Sequence, residues 1–172
     1  MKSPITTFIT LVILSFTCCA TDLDNAGVTE QEVISTMDTP SDMTNKALAQ
    51  VTAVTVSGNE DNYNFSVTIA SPDTGCAQYA DWWEVIDTKG NLIYRRILAH
   101  SHVEEQPFTR SGGPIAIKAD TEVYVRAHMN TSGYGTVVFK GTVEKGLSGT
   151  TLDADFAGSL AQQQPLPTGC AF

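Results

Sequence analysis

Between Tyr63 and Ile69 the chain alternates without a break. Tyr63, Phe65, Val67 and Ile69 are large and apolar, and Asn64, Ser66 and Thr68 between them are small and polar. Period two is the spacing at which side chains of an extended strand return to one face, so the stretch predicts a half-buried β-strand. A helix would need its apolar residues about 3–4 apart instead. Further runs rich in Val, Thr, Ile and aromatics occupy residues 48–56, 79–86, 92–99, 115–118, 122–129 and 136–143. Turn-forming clusters separate them: Ser57-Gly58-Asn59, Ser71 to Gly75, and Asp87 to Asn91, whose brevity predicts an antiparallel hairpin. Residues 107–114, ending in Ser111-Gly112-Gly113-Pro114, read as a loop. About seven short strands with turns between them predict an all-β fold: a single antiparallel β-sandwich, immunoglobulin-like or related, over residues 48–144.

The flanks read differently. Lys2, the apolar run 5–16 and then Cys18, Cys19 and Ala20 have the form of a secretory signal peptide over residues 1–20. The run is too short and too interrupted by threonine to span a membrane. Two kinds of processing are open: cleavage after Ala20, or acylation of Cys18 or Cys19 as in a bacterial lipoprotein. Either way the folded part belongs to an extracytoplasmic space, whether secreted, periplasmic or tethered. Residues 21–47, rich in Asp, Thr and Ser, read as a flexible linker, and 145–172 as an irregular tail. Outside the leader the cysteines are Cys76 and Cys170, an even pair in an oxidising compartment and hence a predicted disulfide. A formal charge of −9 argues against nucleic acid, which calls for a basic footprint. It also argues against electrostatic adhesion to lipid, leaving an N-terminal lipid anchor as the membrane contact.

The chemistry-bearing residues crowd into 76–134. That window holds all three histidines (His100, His102, His128), all four arginines (Arg95, Arg96, Arg110, Arg126) and both tryptophans (Trp82, Trp83). On a strand running on from Leu92, His100 and His102 would share a face; His128 ends another strand, on the side of Tyr124 and Arg126. Three converging imidazoles with an open fourth position would suit Zn or Cu. Glu104, Glu105, Tyr124 and Arg126 are the residues placed to orient such ligands. The arrangement is similar in type to that of carbonic anhydrases, but over three residues, in a chain too short for that fold, so no activity carries over. Copper-zinc superoxide dismutases need more histidines than this chain has. The competing expectation is a structural polar cluster of these histidines with Arg95, Arg96, Arg110, Glu84, Glu104 and Glu105, and the sequence favours it; no cofactor is then expected.

Adjacent residues of a strand face opposite ways, so one of Trp82 and Trp83 is predicted in the core. The other, beside Arg95, Arg96 and Arg110, is a candidate platform for a glycan or a protein partner. One of Arg95 and Arg96 must likewise enter a buried setting, with Glu84 or Asp81 as the expected carboxylate partner. A hydrolase reading finds no support: there is no Gly-x-Ser-x-Gly elbow, no phosphate loop and no His-Glu-x-x-His. Asn64-Phe65-Ser66 and Asn130-Thr131-Ser132 satisfy the N-glycosylation pattern, which carries weight in a eukaryotic secretory route.

Asp81-Trp82-Trp83-Glu84-Val85, then Tyr94-Arg95-Arg96-Ile97-Leu98, then His100-Ser101-His102-Val103 through Gln106-Pro107-Phe108-Thr109-Arg110, resembles a group of small exported bacterial proteins of unassigned function. The resemblance covers about residues 51–143 and implies that the window acts as one unit; it implies no activity. The sequence thus predicts an exported or lipid-tethered, non-catalytic β-sandwich with a binding or structural role at the cell envelope. Its alternatives are a Zn- or Cu-binding protein with metal-assisted chemistry, and a carbohydrate-binding module.

Overall fold

The fold is seen in a computed structural model that describes residues 48–171. The expected signal peptide, the linker and the candidate acylation sites Cys18 and Cys19 lie outside the described residues.

Among the described residues, nine strands form two antiparallel sheets. The first contains β1 (Gln50–Asn59), β2 (Asn62–Ala70) and β5 (Phe108–Ile115), in the order β1-β2-β5. The second has β4 (Leu92–Ile97), β3 (Ala80–Asp87), β6 (Val123–Met129), β8 (Val137–Thr142) and β9 (Gly146–Thr151), in the order β4-β3-β6-β8-β9. The two-residue β7 (Gly133–Tyr134) pairs with β6. The predicted sandwich is therefore present, with more strands than expected.

The alternation of β2 does what its pattern dictates. Tyr63, Phe65, Val67 and Ile69 are buried between the sheets, where they meet Val51, Trp83, Val85, Val125, Ala127 and Phe108. Full burial of a large apolar side chain contributes about 1.5–3 kcal/mol, so this shared layer is the main source of stability. The middle strands of the second sheet are different. In β3 every residue from Ala80 to Ile86 is buried, including Asp81 and Glu84. A strand buried on both faces needs a cover on each. Here the outer cover is the C-terminal strap, residues 152–171, which packs Leu152, Phe156, Leu160 and Leu166 onto Trp82, Ile86, Ile97 and Tyr124. The strap contains one 3-10 turn, Gly158–Gln162. Its end is pinned by the disulfide Cys76–Cys170, with the Cα atoms 5.6 Å apart, and by Ala171 N–H donating to the Ala99 carbonyl at 2.6 Å.

Three expectations about strands need correction. Residues 107–114, read as a loop, hold most of β5, which pairs with β2 from Ile69↔Phe108 to Tyr63↔Ile115. The glycines there make room rather than a turn. A Cβ on Gly112 would lie 2.7 Å from the Tyr94 hydroxyl, and one on Gly113 would lie 2.6 Å from the Tyr63 carbonyl oxygen. Pro114 is tolerated because β5 is an edge strand, whose outward N–H has no ladder partner to lose. Residues 116–118 form no strand of their own. The stretch 145–172, read as irregular, opens with β9, which pairs with β8 from Thr142↔Gly146 to Val137↔Thr151. β9 is an edge strand with almost every residue exposed, so it lacks the apolar alternation by which strands are read.

Candidate functional site

The outer face of the second sheet sets three of the window's charged residues in one row. The register sets Glu84 of β3 beside Arg95 of β4 and Arg126 of β6, and Trp82 beside His128. Glu84 Oε2 accepts from Arg95 Nε at 2.8 Å and Nη2 at 2.5 Å. Its other oxygen, Oε1, accepts from Arg126 Nε at 2.8 Å, with Nη2 also at 2.8 Å. All three side chains are at most 1% exposed. Of the two carboxylates expected for the buried arginine, Glu84 and Asp81, it is Glu84 that pairs with it.

One carboxylate between two guanidiniums leaves a buried excess of one positive charge, and removing such a charge from water is costly unless dipoles replace the water. The strap supplies them. Arg95 donates to the carbonyls of Leu160 (2.8 Å), Gln163 (2.6 Å) and Pro165 (3.1 Å). Arg126 donates to those of Phe156 (2.5 Å) and Ala157 (3.2 Å). Aromatic faces complete the enclosure: the Arg95 guanidinium lies 4.4 Å from the Trp82 ring and that of Arg126 3.4 Å from Tyr134. Burial, and secondarily the Glu84 charge, pushes the Tyr134 hydroxyl up to about 12, against the opposing pull of the arginines. This cluster is a clamp on main-chain oxygens.

The three histidines do not converge. β4 ends at Ile97, so His100 and His102 stand in the following loop rather than on a strand, and the same-face argument does not apply to them. Their rings still meet, with centroids 4.5 Å apart. His102 is buried and stacks on Phe108 of the main core at 3.7 Å. Both its ring nitrogens lack a hydrogen-bond partner among the described residues; Asp73 Oδ2 is 3.9 Å from Nδ1. Burial, then the Arg110 and His100 charges, hold its pKa below the usual histidine value, opposed by Asp73 and Glu105. Asp73 is occupied with the loop backbone, accepting from Ala80 N–H at 2.9 Å and His102 N–H at 2.8 Å.

His128 belongs to the outer face instead. It stacks on Trp82 at 3.7 Å, and its Nδ1 lies 2.7 Å from Asp81 Oδ1. A register shift between Ala80 and Trp82 leaves Asp81 without a β6 partner in the ladder, and such a bulge re-aims a side chain toward a new neighbour. Among the described residues no group of three or more His, Cys, Asp or Glu is disposed to hold a metal ion. The alternative of a three-imidazole centre for Zn or Cu would need these rings to meet, whereas strand end and bulge give them different neighbours.

The remaining candidates also separate. Trp83 is in the core, and Trp82 is 3% exposed beneath the strap, so neither indole offers an open platform. Arg96 is exposed and donates to the Ser111 carbonyl at 3.2 Å. Arg110 pairs with exposed Glu105 at 2.8 Å, and that bond holds the Glu105 carboxyl below its usual range. Glu104 is exposed, and Tyr124 packs against Phe156 of the strap. Sequence reasoning missed Asp73 and Tyr134 as organisers, and nothing in their spacing marks them; it offered Asp81 to an arginine, whereas its partner is His128.

No protein-family model matches the chain, and no solved structure matches it. A protein of Halomicrobium mukohataei named "Putative lipoprotein" is 45% identical over 71 residues, which are 41% of this chain and 35% of that protein. The chain thus spans about a third of that relative's length.

Proposed function

We propose that the chain is a lipid-tethered, non-catalytic β-sandwich held at the outer side of a cell membrane, where it serves as a rigid binding or structural module. The Cys76–Cys170 disulfide carries this reading, because such bonds persist in oxidising, extracytoplasmic spaces. The relative's printed name and the leader with Cys18 and Cys19 support a lipid anchor. No helix among the described residues is long and apolar enough to cross a membrane.

The strand order supports an immunoglobulin-like topology. Strands β1, β2 and β5 face β4, β3, β6 and β8, and a buried tryptophan, Trp83, sits on the third strand. The buried arginines support a mechanical role, since Arg95 and Arg126 are committed to gripping the strap. A partner, protein or glycan, would be met by the exposed loops and sheet faces. The test is detergent-phase partitioning of the expressed full chain beside the Cys18→Ser and Cys19→Ser variants. The wild type enters the detergent phase, and one of the two variants moves to the aqueous phase. A wild-type chain wholly in the aqueous phase overturns the tether.

A further inference from the structure

The two Asn-x-Ser triplets are treated in opposite ways by the fold. Asn130 is built in. Its Oδ1 accepts from Tyr79 N–H at 3.0 Å, and its Nδ2 donates to the carbonyls of Cys76 and Ala77, each at 3.3 Å. Asn130 is exposed, but its carboxamide thus holds the segment that bears the disulfide. A sugar on Nδ2 takes the place of one hydrogen and disturbs these contacts to residues 76–77.

Asn64 stands free. It is exposed on β2, between the buried Tyr63 and Phe65, and no hydrogen bond among the described residues engages its carboxamide. Ser57 of β1 is opposite it. On the other side is Gly113, where a Cβ would come within 3.2 Å of Asn64 Oδ1, so the missing side chain leaves that flank open. Asn64 and Ser66 also point the same way, as alternate residues of one strand do.

The surface around Asn64 adds a second, independent observation. The outward positions of the first sheet include Thr55, Ser57, Ser66, Thr68, Thr109 and Ser111, with cross-strand hydroxyl pairs Ser66–Ser111 at 2.6 Å and Thr68–Thr109 at 2.8 Å. None of these is charged, on a chain whose formal charge is −9. A neutral polyhydroxyl chain can lie there, exchanging hydrogen bonds with hydroxyls and stripping water from no ion.

We propose that Asn64 is a site of N-linked glycosylation, and that the attached neutral oligosaccharide lies over the hydroxyl-lined outer face of the first sheet while Asn130 stays bare. This rests on the exported state proposed above. The reaction joins Asn64 Nδ2 to the anomeric carbon of a lipid-phosphate-linked oligosaccharide; Nδ2 gives up one proton, and the lipid phosphate leaves with the bonding electron pair. Because Phe65 is fully buried and Ser66 is bonded to Ser111, transfer precedes docking of β2 into its sheet. A chain modified at Asn130 cannot close the 76–79 segment, so the folded population carries its sugar at Asn64 alone.

The test produces the full chain in an N-glycosylating secretory host and maps the exported, disulfide-bonded fraction by peptide mass spectrometry. Enzymatic deglycosylation in heavy-oxygen water marks each occupied asparagine. Asn64→Gln and Ser66→Ala remove one triplet; Ser132→Ala removes the other while keeping the Asn130 carboxamide. The expected result is one glycan mass, on Asn64, absent from the first two variants and kept in the third. An exported, disulfide-bonded chain with a bare Asn64, or with sugar on Asn130, overturns the assignment while leaving the export reading intact. Retention of the chain inside the cell removes the premise and overturns both.

Discussion

Replacing Glu84 with glutamine tests the clamp most directly. The substitution keeps shape and removes the charge that neutralises one of two guanidiniums, whose side chains are 0% and 1% exposed. Four close N–H donors then face a neutral amide, and the amide's own N–H₂ opposes one guanidinium. Breaking a buried ion pair from one side costs about 3–5 kcal/mol, against a total stability of about 5–15 kcal/mol for an ordinary domain. With a urea dependence near ~2 kcal/mol per molar, the unfolding midpoint falls by roughly 1.5–2.5 M and its slope stays unchanged. Glu105→Gln is the control: its pair with Arg110 is exposed, and the midpoint should not move beyond error. A midpoint shift for Glu84→Gln under about 0.5 M would refute the claim that the buried excess charge depends on this carboxylate.

Further outcomes follow from the strap and its surroundings. Cys76→Ser/Cys170→Ser opens a covalent loop spanning a sequence separation of 94, which by loop entropy costs about 4–5 kcal/mol in the chain-entropy model; differential scanning calorimetry of oxidised and mutant protein measures it. In the same variant, the Ala171 amide that donates to Ala99 should lose hydrogen-exchange protection before the amides of β3 do. Tyr134 holds its proton in the folded state up to about 12, above its ordinary 10.0, so its contribution is complete below pH 10 and is lost between pH 10 and 12. That loss runs at roughly 1.4 kcal/mol per pH unit, and Tyr134→Phe should flatten the alkaline limb of the stability curve. Gly135→Ala places a Cβ onto the Ala49 carbonyl oxygen, a backbone atom that cannot swing away, and should cost about 1–3 kcal/mol or more by chemical denaturation.

Much of the sandwich is legible because alternation is a local signal. Tyr63 to Ile69 announces its own buried face, and the five-residue turn from Asp87 to Asn91 announces the β3–β4 hairpin. β5 is hidden because Gly112 and Gly113 look like breakers, whereas their smallness answers to Tyr94 and the Tyr63 backbone, far away in sequence. β9 is hidden because an exposed edge strand has no buried face to alternate against. Pairing of Arg95 with Glu84 could be read from the opposed faces of Arg95 and Arg96. That Arg126 shares the same carboxylate depends on β6 lying beside β3, which no local pattern states. The shared strand face of His100 and His102 is not realised because β4 stops three residues before His100.

The two arginines touch five carbonyl oxygens of the strap, a group that every residue possesses, while of the side chains on that segment Leu152, Phe156, Leu160 and Leu166 pack onto the sheet. Spelling between those anchors is consequently cheap to alter: exposed Gln162 can change with little penalty, so long as the ribbon keeps its path. Drift should therefore gather in the ribbon and spare the acid and the two bases that hold it, giving a rule for recognising distant kin whose C-terminal segments no longer look alike.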